Sequence, residues 1–235
     1  MFVGSFLLGL PAWVLLLITA VSLFVSQIII PDPSAWGSIP ASVLQKLLIW
    51  PGGNASVWSN YPILPWLPLV TFGLAYGRDL RSETARLWRH TLWLGLFFLT
   101  VFVILRAYGG PGNIRPPVAE GWIPFFNMVK YPPSLTFYLL TMGVNLLLLW
   151  LFAQAGARAK KMLKPLVVYG RVPLFFYIVH LFLYAGLGHL FTPQGTTIPR
   201  MLPLWLLGLL ILYRLCLAFV RFKQSRPPQS FWRLF

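Results

Sequence analysis

Six long apolar runs alternate along the chain with shorter segments that are rich in proline, glycine and basic residues. A helix needs ~20 mainly apolar residues to cross the hydrocarbon of a bilayer, and each run is close to that length. The pattern therefore predicts an all-α, polytopic transmembrane helix bundle that forms a single domain over residues 1–235. The six predicted spanning helices cover residues 5–30, 61–77, 88–105, 134–155, 166–191 and 203–222.

The second run contains Pro62, Pro65 and Pro68. A proline inside a helix removes a backbone hydrogen bond, so we expect the outer part of this run to be irregular. Irregular backbone at membrane depth needs surrounding protein or a water-lined cavity. Two interpretations stay open: a proline-rich helix start packed on its neighbours, and a cavity wall. In the preceding loop, the apolar stripe 43–50 predicts a short helix lying in the membrane interface.

The composition supports a membrane protein. Of the 235 residues, 58% are hydrophobic and only 10% are charged, whereas about a quarter of a soluble domain is charged. Cys216 is the one cysteine of the sequence, which excludes an intrachain disulfide and a thiol metal cluster. The net charge of +15 comes from basic residues spread over short loops, so nucleic acid is not an expected partner.

The distribution of basic residues predicts the orientation of the spans. Segments 78–89, 158–164 and 221–235 each hold four lysines or arginines. The loops on the opposite side of the membrane each hold fewer. Cytoplasmic loops carry the excess of lysine and arginine in membrane proteins. Both termini are therefore expected in the cytoplasm.

The fifth run carries the strongest candidate site. His180 lies in its middle, and Tyr177 and Tyr184 lie three and four residues away, so the three side chains share one helix face. Ionisable groups at membrane depth are costly and usually mark function. A histidine that only ties helices together is the alternative. No metal site is expected, because His180 and His189 lie nine residues apart without thiol or carboxylate company.

The fourth run follows a double proline and has Ser134 as its expected N-cap residue. Thr141 and Asn145 follow at helical spacing. These polar side chains are expected either to join neighbouring helices by hydrogen bonds or to line a site beside His180.

Three stretches, taken together, resemble one known family. They are Tyr-Pro-Ile-Leu-Pro-Trp at 61–66, Lys-Tyr-Pro-Pro-Ser-Leu at 130–135, and Tyr-Gly-Arg-Val-Pro-Leu-Phe-Phe-Tyr at 169–177 with His180 beyond it. In this order they are similar to the bacterial relatives of the heparan-alpha-glucosaminide N-acetyltransferase catalytic domain, an uncharacterised-domain family of polytopic membrane proteins. The resemblance covers most of the chain.

The resemblance implies a multi-pass protein of the bacterial cytoplasmic (inner) membrane. Such a protein transfers an acyl group, typically acetyl from acetyl-CoA, to a sugar amine or hydroxyl. Full-length members carry additional N-terminal helices with an Asp-x-x-Arg-Gly-type motif and the histidine regarded as catalytic. Nothing in this sequence matches those parts, so the resemblance implies that these N-terminal helices are missing, which leaves activity in this form open.

Acyl transfer gives each group of candidate residues a role. His180 is the expected base or acid, with Tyr177 and Tyr184 as its catalytic partners. Hydrogen bonds to the developing oxyanion are expected from the two tyrosines and from Thr141 and Asn145.

Basic and polar residues outside this group are expected to hold the two substrates. The residues expected to bind the phosphates of coenzyme A are Arg78, Arg81, Lys164 and Arg171. The residues expected to bind the acceptor are Lys130, Tyr131, Ser134, Thr141 and Asn145. For the arginines, the alternative is that they only follow the positive-inside bias.

A second class of function competes with acyl transfer. A non-catalytic membrane scaffold or a solute-binding helix bundle would also suit a chain with only four acidic residues. A permease is disfavoured, because the sequence shows no internal repeat. The expected partners are the lipid bilayer, a sugar acceptor, and either a second copy of the chain or upstream helices.

Overall fold

The computed structural model describes residues 6–30, 42–53, 58–82, 84–117 and 119–234. In chain order, the α-helices are α1 Ala12–Ile29, α2 Val43–Leu48, α3 Ile63–Asp79, α4 Ala85–Tyr108, α5 Trp122–Phe126, α6 Leu135–Ala153, α7 Ala157–Met162, α8 Lys164–Arg171, α9 Pro173–Phe191 and α10 Ile198–Gln224. Strands β1 Gly52–Gly53 and β2 Trp58–Ser59 pair antiparallel, with Gly52 opposite Ser59. Short 3-10 turns cover Leu80–Ser82 and Phe231–Leu234.

Five of these helices are long and apolar enough to cross a membrane: α1, α4, α6, α9 and α10. Their most apolar stretches have mean hydropathies between 1.7 and 2.3. A mainly helical, multi-pass membrane protein with five candidate membrane-spanning helices is therefore confirmed, while the six spans and the orientation of the termini stay predictions. The short helix predicted within residues 43–50 is also present as α2, which begins with a capping box between Ser42 and Gln45.

The second apolar run forms a continuous helix, so the expectation of an irregular outer part was wrong. Pro62 is the N-cap residue of α3 and Pro65 lies in its first turn, where a backbone N–H has no partner within the helix. Only Pro68 lies inside the helix, and it is buried. At 17 residues α3 is shorter than the five helices above.

The fifth run divides into two helices, which corrects the single helix predicted over 166–191. Val172 separates α8 from α9 with a non-helical backbone, φ −139° and ψ 55°. The cause is Pro173, because a proline disfavours helical geometry in the residue before it and suits the first position of the next helix.

The chain forms two compact units, Met1–Gln154 and Ala155–Phe235. The single domain predicted from the sequence stays a prediction. In the first unit, α1 packs against α3, and α4 packs against α6. In the second unit, both α8 and α9 pack against α10.

Two glycines bring α4 and α6 together. A Cβ atom added to Gly95 would lie 3.2 Å from the carbonyl oxygen of Gly143, and one added to Gly143 would lie 3.2 Å from that of Gly95. Small residues allow this close backbone approach, which drives helix association in membranes. The reciprocal contact fixes how the two helices face each other.

The second unit is held by contacts onto α10. The rings of Phe175 and Phe219 stack with centroids 4.2 Å apart, beside the fully buried Val172 and Cys216. The Tyr169 hydroxyl donates a hydrogen bond to the Leu209 carbonyl at 2.8 Å. These contacts place α9, and with it the candidate histidine, firmly on α10.

Candidate functional site

His180 is half-buried on α9, and one of its ring nitrogens lies within hydrogen-bond distance of a backbone carbonyl oxygen. Nδ1 lies 3.2 Å from the carbonyl oxygen of Phe176, one turn earlier. A carbonyl oxygen can only accept, so a hydrogen bond here needs the proton on Nδ1, and in the neutral imidazole the lone pair is then on Nε2. The imidazole also stacks on the Phe176 ring, with centroids 5.5 Å apart and planes 8° apart. The ring is therefore oriented, and Nε2 has no hydrogen-bond partner among the described residues.

The two tyrosines that share the predicted face with His180 have different surroundings. The Tyr184 hydroxyl donates to the Trp205 carbonyl on α10 at 2.8 Å, and its ring lies directly against Gly208. Tyr177 is 58% exposed, and its ring centroid lies 5.4 Å from that of His180. Tyr184 thus joins two helices, whereas Tyr177 remains an open neighbour of the histidine.

The polar residues predicted on α6 mostly bond to their own helix. Ser134 is the N-cap residue, as expected, and its fully buried hydroxyl accepts the Phe137 N–H at 3.2 Å. The Thr141 hydroxyl donates to the Phe137 carbonyl at 2.7 Å. Asn145 is exposed on the same helix.

Lys130 and Tyr131 belong to an aromatic cluster with Tyr61 and Trp66. The Tyr61 ring centroid lies 5.0 Å from that of Trp66 and 5.4 Å from that of Tyr131. The hydroxyl oxygens of Tyr61 and Tyr131 are 3.0 Å apart. The Lys130 ammonium lies 5.1 Å from the centroid of the Tyr131 ring, in cation–π contact. Two sequence stretches about 70 residues apart, 61–66 and 130–135, therefore meet in the first unit.

The pKa of Tyr131 is lowered in this cluster. The hydrogen bond with the Tyr61 hydroxyl is the main cause, and the Lys130 ammonium adds to it. Both interactions favour the phenolate over the neutral phenol.

The predicted phosphate-binding residues fall into both units. In the first unit, Arg78 is half-buried and donates from Nη2 to the Leu8 carbonyl at 2.6 Å, while Arg81 is exposed. In the second unit, Lys164 and Arg171 are exposed at the two ends of α8. Seven residues make about two helical turns, so these two side chains share one face about 10 Å apart.

Arg106 is a structural residue that the sequence-based predictions do not name. It is 1% exposed at the end of α4. Its guanidinium donates five hydrogen bonds of 2.7 to 3.0 Å, and the acceptors are the carbonyl oxygens of Arg115, Pro124, Phe125 and Asn127 and the side-chain oxygen of Asn113. A guanidinium has five N–H groups, so every donor is used. Arg106 therefore ties the turn at 113–115 to α5 and to the residue that follows α5.

The sequence carries one signal for this role. Arg106 precedes a glycine-rich turn with Asn113, whose amide also donates to the Leu105 and Gly110 carbonyls at 2.9 and 3.0 Å. An arginine near a helix end usually snorkels to water, which hides this signal.

Comparison of the chain with protein-family models, with curated proteins and with solved structures finds no match.

Proposed function

We propose that this chain is an acyltransferase-like membrane protein that moves an acetyl group from acetyl-CoA to a sugar amine or hydroxyl. The observation that carries the proposal is the anchored imidazole of His180, whose Nδ1 is bound to the Phe176 carbonyl. This arrangement leaves Nε2 as an oriented base on a helix apolar enough to span a membrane.

In the proposed reaction, Nε2 of His180 takes a proton from the acceptor amine or hydroxyl. The freed nitrogen or oxygen attacks the thioester carbonyl carbon, the carbon–sulfur bond breaks, and the thiolate of coenzyme A takes the proton from the imidazolium. Tyr177 is the best-placed donor to the oxyanion. The hydroxyl protons of Tyr184 and Thr141 are already given to the Trp205 and Phe137 carbonyls.

Lys164 and Arg171 are the proposed contacts for the phosphates of coenzyme A. Both are exposed on one face of α8, directly before the helix that carries His180. Their separation of about 10 Å allows two different phosphate groups to be held at once. Arginine adds a planar fork that binds phosphate with two parallel hydrogen bonds. Arg78 and Arg81 belong to the first unit, and their role in donor binding stays a prediction; the Arg78 guanidinium donates to the Leu8 carbonyl.

The proposal includes six spans with both termini in the cytoplasm of a bacterial cell. The span that adds to the five long helices is α3. Its 17 residues extend about 26 Å, close to the ~30 Å hydrocarbon layer. Labelling of single cysteines in a Cys216→Ser background tests it in intact cells. We expect a cysteine at Arg81 to be protected from an impermeant maleimide and one at Glu120 to react; the reverse would contradict this orientation.

Acyl transfer is tested with the purified chain in liposomes, with labelled acetyl-CoA and glucosamine as substrates. His180→Asn keeps a donor near the Nδ1 position but removes the base, so transfer should fall by a factor of about 10²–10⁴. His189→Asn, on the exposed end of the same helix, is the matched control and should transfer at the wild-type rate. Absence of both transfer and coenzyme A binding, or an unchanged rate in His180→Asn, would contradict the proposal.

A solute-binding bundle without catalysis is the second candidate, and a hollow in the first unit favours it. The hollow measures about 100 Å³ and lies among side chains of α1, α3, α4 and α6. Tyr138 lines it and is only 4% exposed, yet its hydroxyl has no hydrogen-bond partner among the described residues. Buried polar atoms are normally paired, so a solute with a polar group that reaches this hydroxyl would satisfy it, while the rest of the wall suits an apolar body.

Chemical modification separates the two candidates. In acyl transfer, acetyl-CoA should protect Arg171 from an arginine reagent, with Arg158 as the exposed control. A solute-binding bundle should show no such protection.

A further inference from the structure

A second cavity lies where α1 ends and the loop after α4 begins. It measures about 330 Å³, and its lining residues are Gln27, Ile30, Gly109, Gly110, Pro111, Gly112, Ile114 and Pro116. This volume is in the range of small-molecule sites. We call it the loop cavity, and nothing in the preceding proposal uses it.

The wall of the loop cavity is largely peptide backbone. Gly109 and Gly112 have φ values of 69° and 88°, and Ile114 also has a positive φ, 57°. Glycines leave the peptide groups uncovered, so a ligand can approach the backbone closely. A β-branched residue at positive φ is costly and persists only where the surrounding structure imposes it.

Backbone donors of the loop are open, while several acceptors are occupied. The Gly112 carbonyl accepts the Thr136 N–H at 3.1 Å, and the Gly110 carbonyl accepts the Asn113 amide. By contrast, the N–H groups of Gly110, Gly112 and Ile114 form no hydrogen bond to another described residue. The cavity therefore favours a ligand that accepts hydrogen bonds.

Gln27, on α1, adds a donor to the lining. Its side-chain oxygen accepts the Leu135 N–H at 3.0 Å, which fixes the orientation of the amide. Its NH₂ group has only a long contact, 3.5 Å, with the Ser26 hydroxyl. The side chain thus presents donor capacity beside the loop.

A buried positive charge lies behind the same loop. Arg106 bonds to Asn113, between the two lining residues Gly112 and Ile114, and all of its acceptors are uncharged oxygens. A buried charge without a counter-ion is costly and strengthens the local potential. Arg115, exposed in the same loop, adds a second positive charge.

We propose that the loop cavity binds a small oxyanion, a phosphate or carboxylate group, carried either by a free solute or by a phospholipid headgroup. The open N–H groups would donate to its oxygens, and Arg106 would stabilise its charge from behind the loop. This inference does not depend on acyl transfer.

Equilibrium dialysis of the full chain in a neutral detergent, with radiolabelled orthophosphate at constant sodium chloride, tests the proposal. We expect saturable binding of one phosphate per chain. Pro116→Glu places a negative charge at the exposed rim and should raise the dissociation constant roughly tenfold or more. Pro116→Lys makes the same change of backbone with the opposite charge and should bind at least as tightly as wild type. Ala85→Glu, at an exposed position at the other end of α4 and roughly 30 Å from the loop, is the control and should stay within about twofold of wild type.

Competition identifies the source of the anion. Displacement of orthophosphate by short-chain phosphatidic acid, but not by the matching diacylglycerol, assigns a lipid headgroup, whereas displacement by free carboxylates alone assigns a solute. Either result supports the proposal. The proposal is overturned if orthophosphate does not bind saturably, if Pro116→Glu and Ala85→Glu bind alike, or if neutral glycerol displaces the label equally well.

Discussion

Arg106 and His180 are both ionisable residues on apolar helices, and their surroundings differ in one decisive respect. All five N–H groups of Arg106 bond to oxygens of the loop that follows its helix. His180 forms one hydrogen bond, to its own helix, and keeps the other ring nitrogen open. A group whose bonds are all used can hold a structure but has no donor left for a substrate. A group with one anchored side and one open side can take part in proton transfer.

Replacement of the two residues should separate these roles most clearly. Arg106→Met removes a hydrogen bond from four backbone carbonyl oxygens and from the Asn113 side-chain oxygen, so we expect a loss of about 3–5 kcal/mol in the stability of the first unit. Arg115→Met, at an exposed position of the same loop, should change stability by less than about 0.5 kcal/mol. His180→Asn should also leave stability nearly unchanged. Thermal unfolding in detergent, followed by tryptophan fluorescence, measures all three; similar midpoints for Arg106→Met and Arg115→Met would break the comparison.

The contact between α4 and α6 gives the next largest effect. Gly143→Ala places a methyl group 2.8 Å from the Leu99 side chain and 3.2 Å from the Gly95 carbonyl, so we expect a loss of about 1–3 kcal/mol. Gly73→Ala is the matched control, because a Cβ there meets nothing within 4 Å. The control should be stabilised by about 0.5–1 kcal/mol through helix propensity. Equal effects of the two substitutions in the same unfolding assay would exclude close glycine packing.

The two tyrosines beside His180 sharpen the comparison within one helix. Tyr184→Phe loses the hydrogen bond to the Trp205 carbonyl and should cost about 0.5–1.5 kcal/mol of stability. Tyr177→Phe should leave stability unchanged, since its side chain is 58% exposed, but should slow acetyl transfer by about a hundredfold if it donates to the oxyanion. A destabilised Tyr177→Phe with unchanged transfer would reverse the assignment.

The ionisation of Tyr131 gives the smallest expected effect on stability. Its pKa is lowered by the Tyr61 hydroxyl and by Lys130, so the folded chain should release this phenolic proton at a lower pH than an ordinary tyrosine. Because the folded state then releases the proton before the unfolded state does, this group favours folding more as pH rises through that interval. Near-ultraviolet absorbance of the phenolate measures the titration.

Two variants check that assignment. Tyr131→Phe should remove the earliest tyrosine titration, and Tyr61→Phe should move it to higher pH. Tyr108→Phe, which replaces a 77% exposed tyrosine, should not affect it. An unchanged titration in Tyr131→Phe would assign the early proton to another group.

The comparison also shows what the sequence can and cannot reveal. Long apolar runs predict helices well, because a segment in lipid must pair its own backbone N–H and C=O groups, and a helix does so within the segment. The division at Val172 was missed although Pro173 signals it, because the apolar run continues across the break. The burial of Arg106 depends on the carbonyls of residues 115, 124, 125 and 127, which no local pattern brings to the guanidinium.

The same limit applies to the candidate site. Helical spacing correctly places Tyr177, His180 and Tyr184 on one helix. It cannot tell that Tyr184 bonds to Trp205 on another helix while Tyr177 stays open. Likewise, the pairing of Tyr61 with Tyr131 joins two distant stretches and is a product of tertiary structure.

The most direct test of the account is the protonation state of the His180 ring itself. Nitrogen NMR of chain labelled at histidine, recorded at alkaline pH and assigned with the His180→Asn variant, distinguishes the two neutral tautomers. The account requires the proton on Nδ1, bound to the Phe176 carbonyl, and an unprotonated Nε2. A signal showing the proton on Nε2 would mean that the open nitrogen carries no lone pair to accept a substrate proton, and would contradict the proposed role.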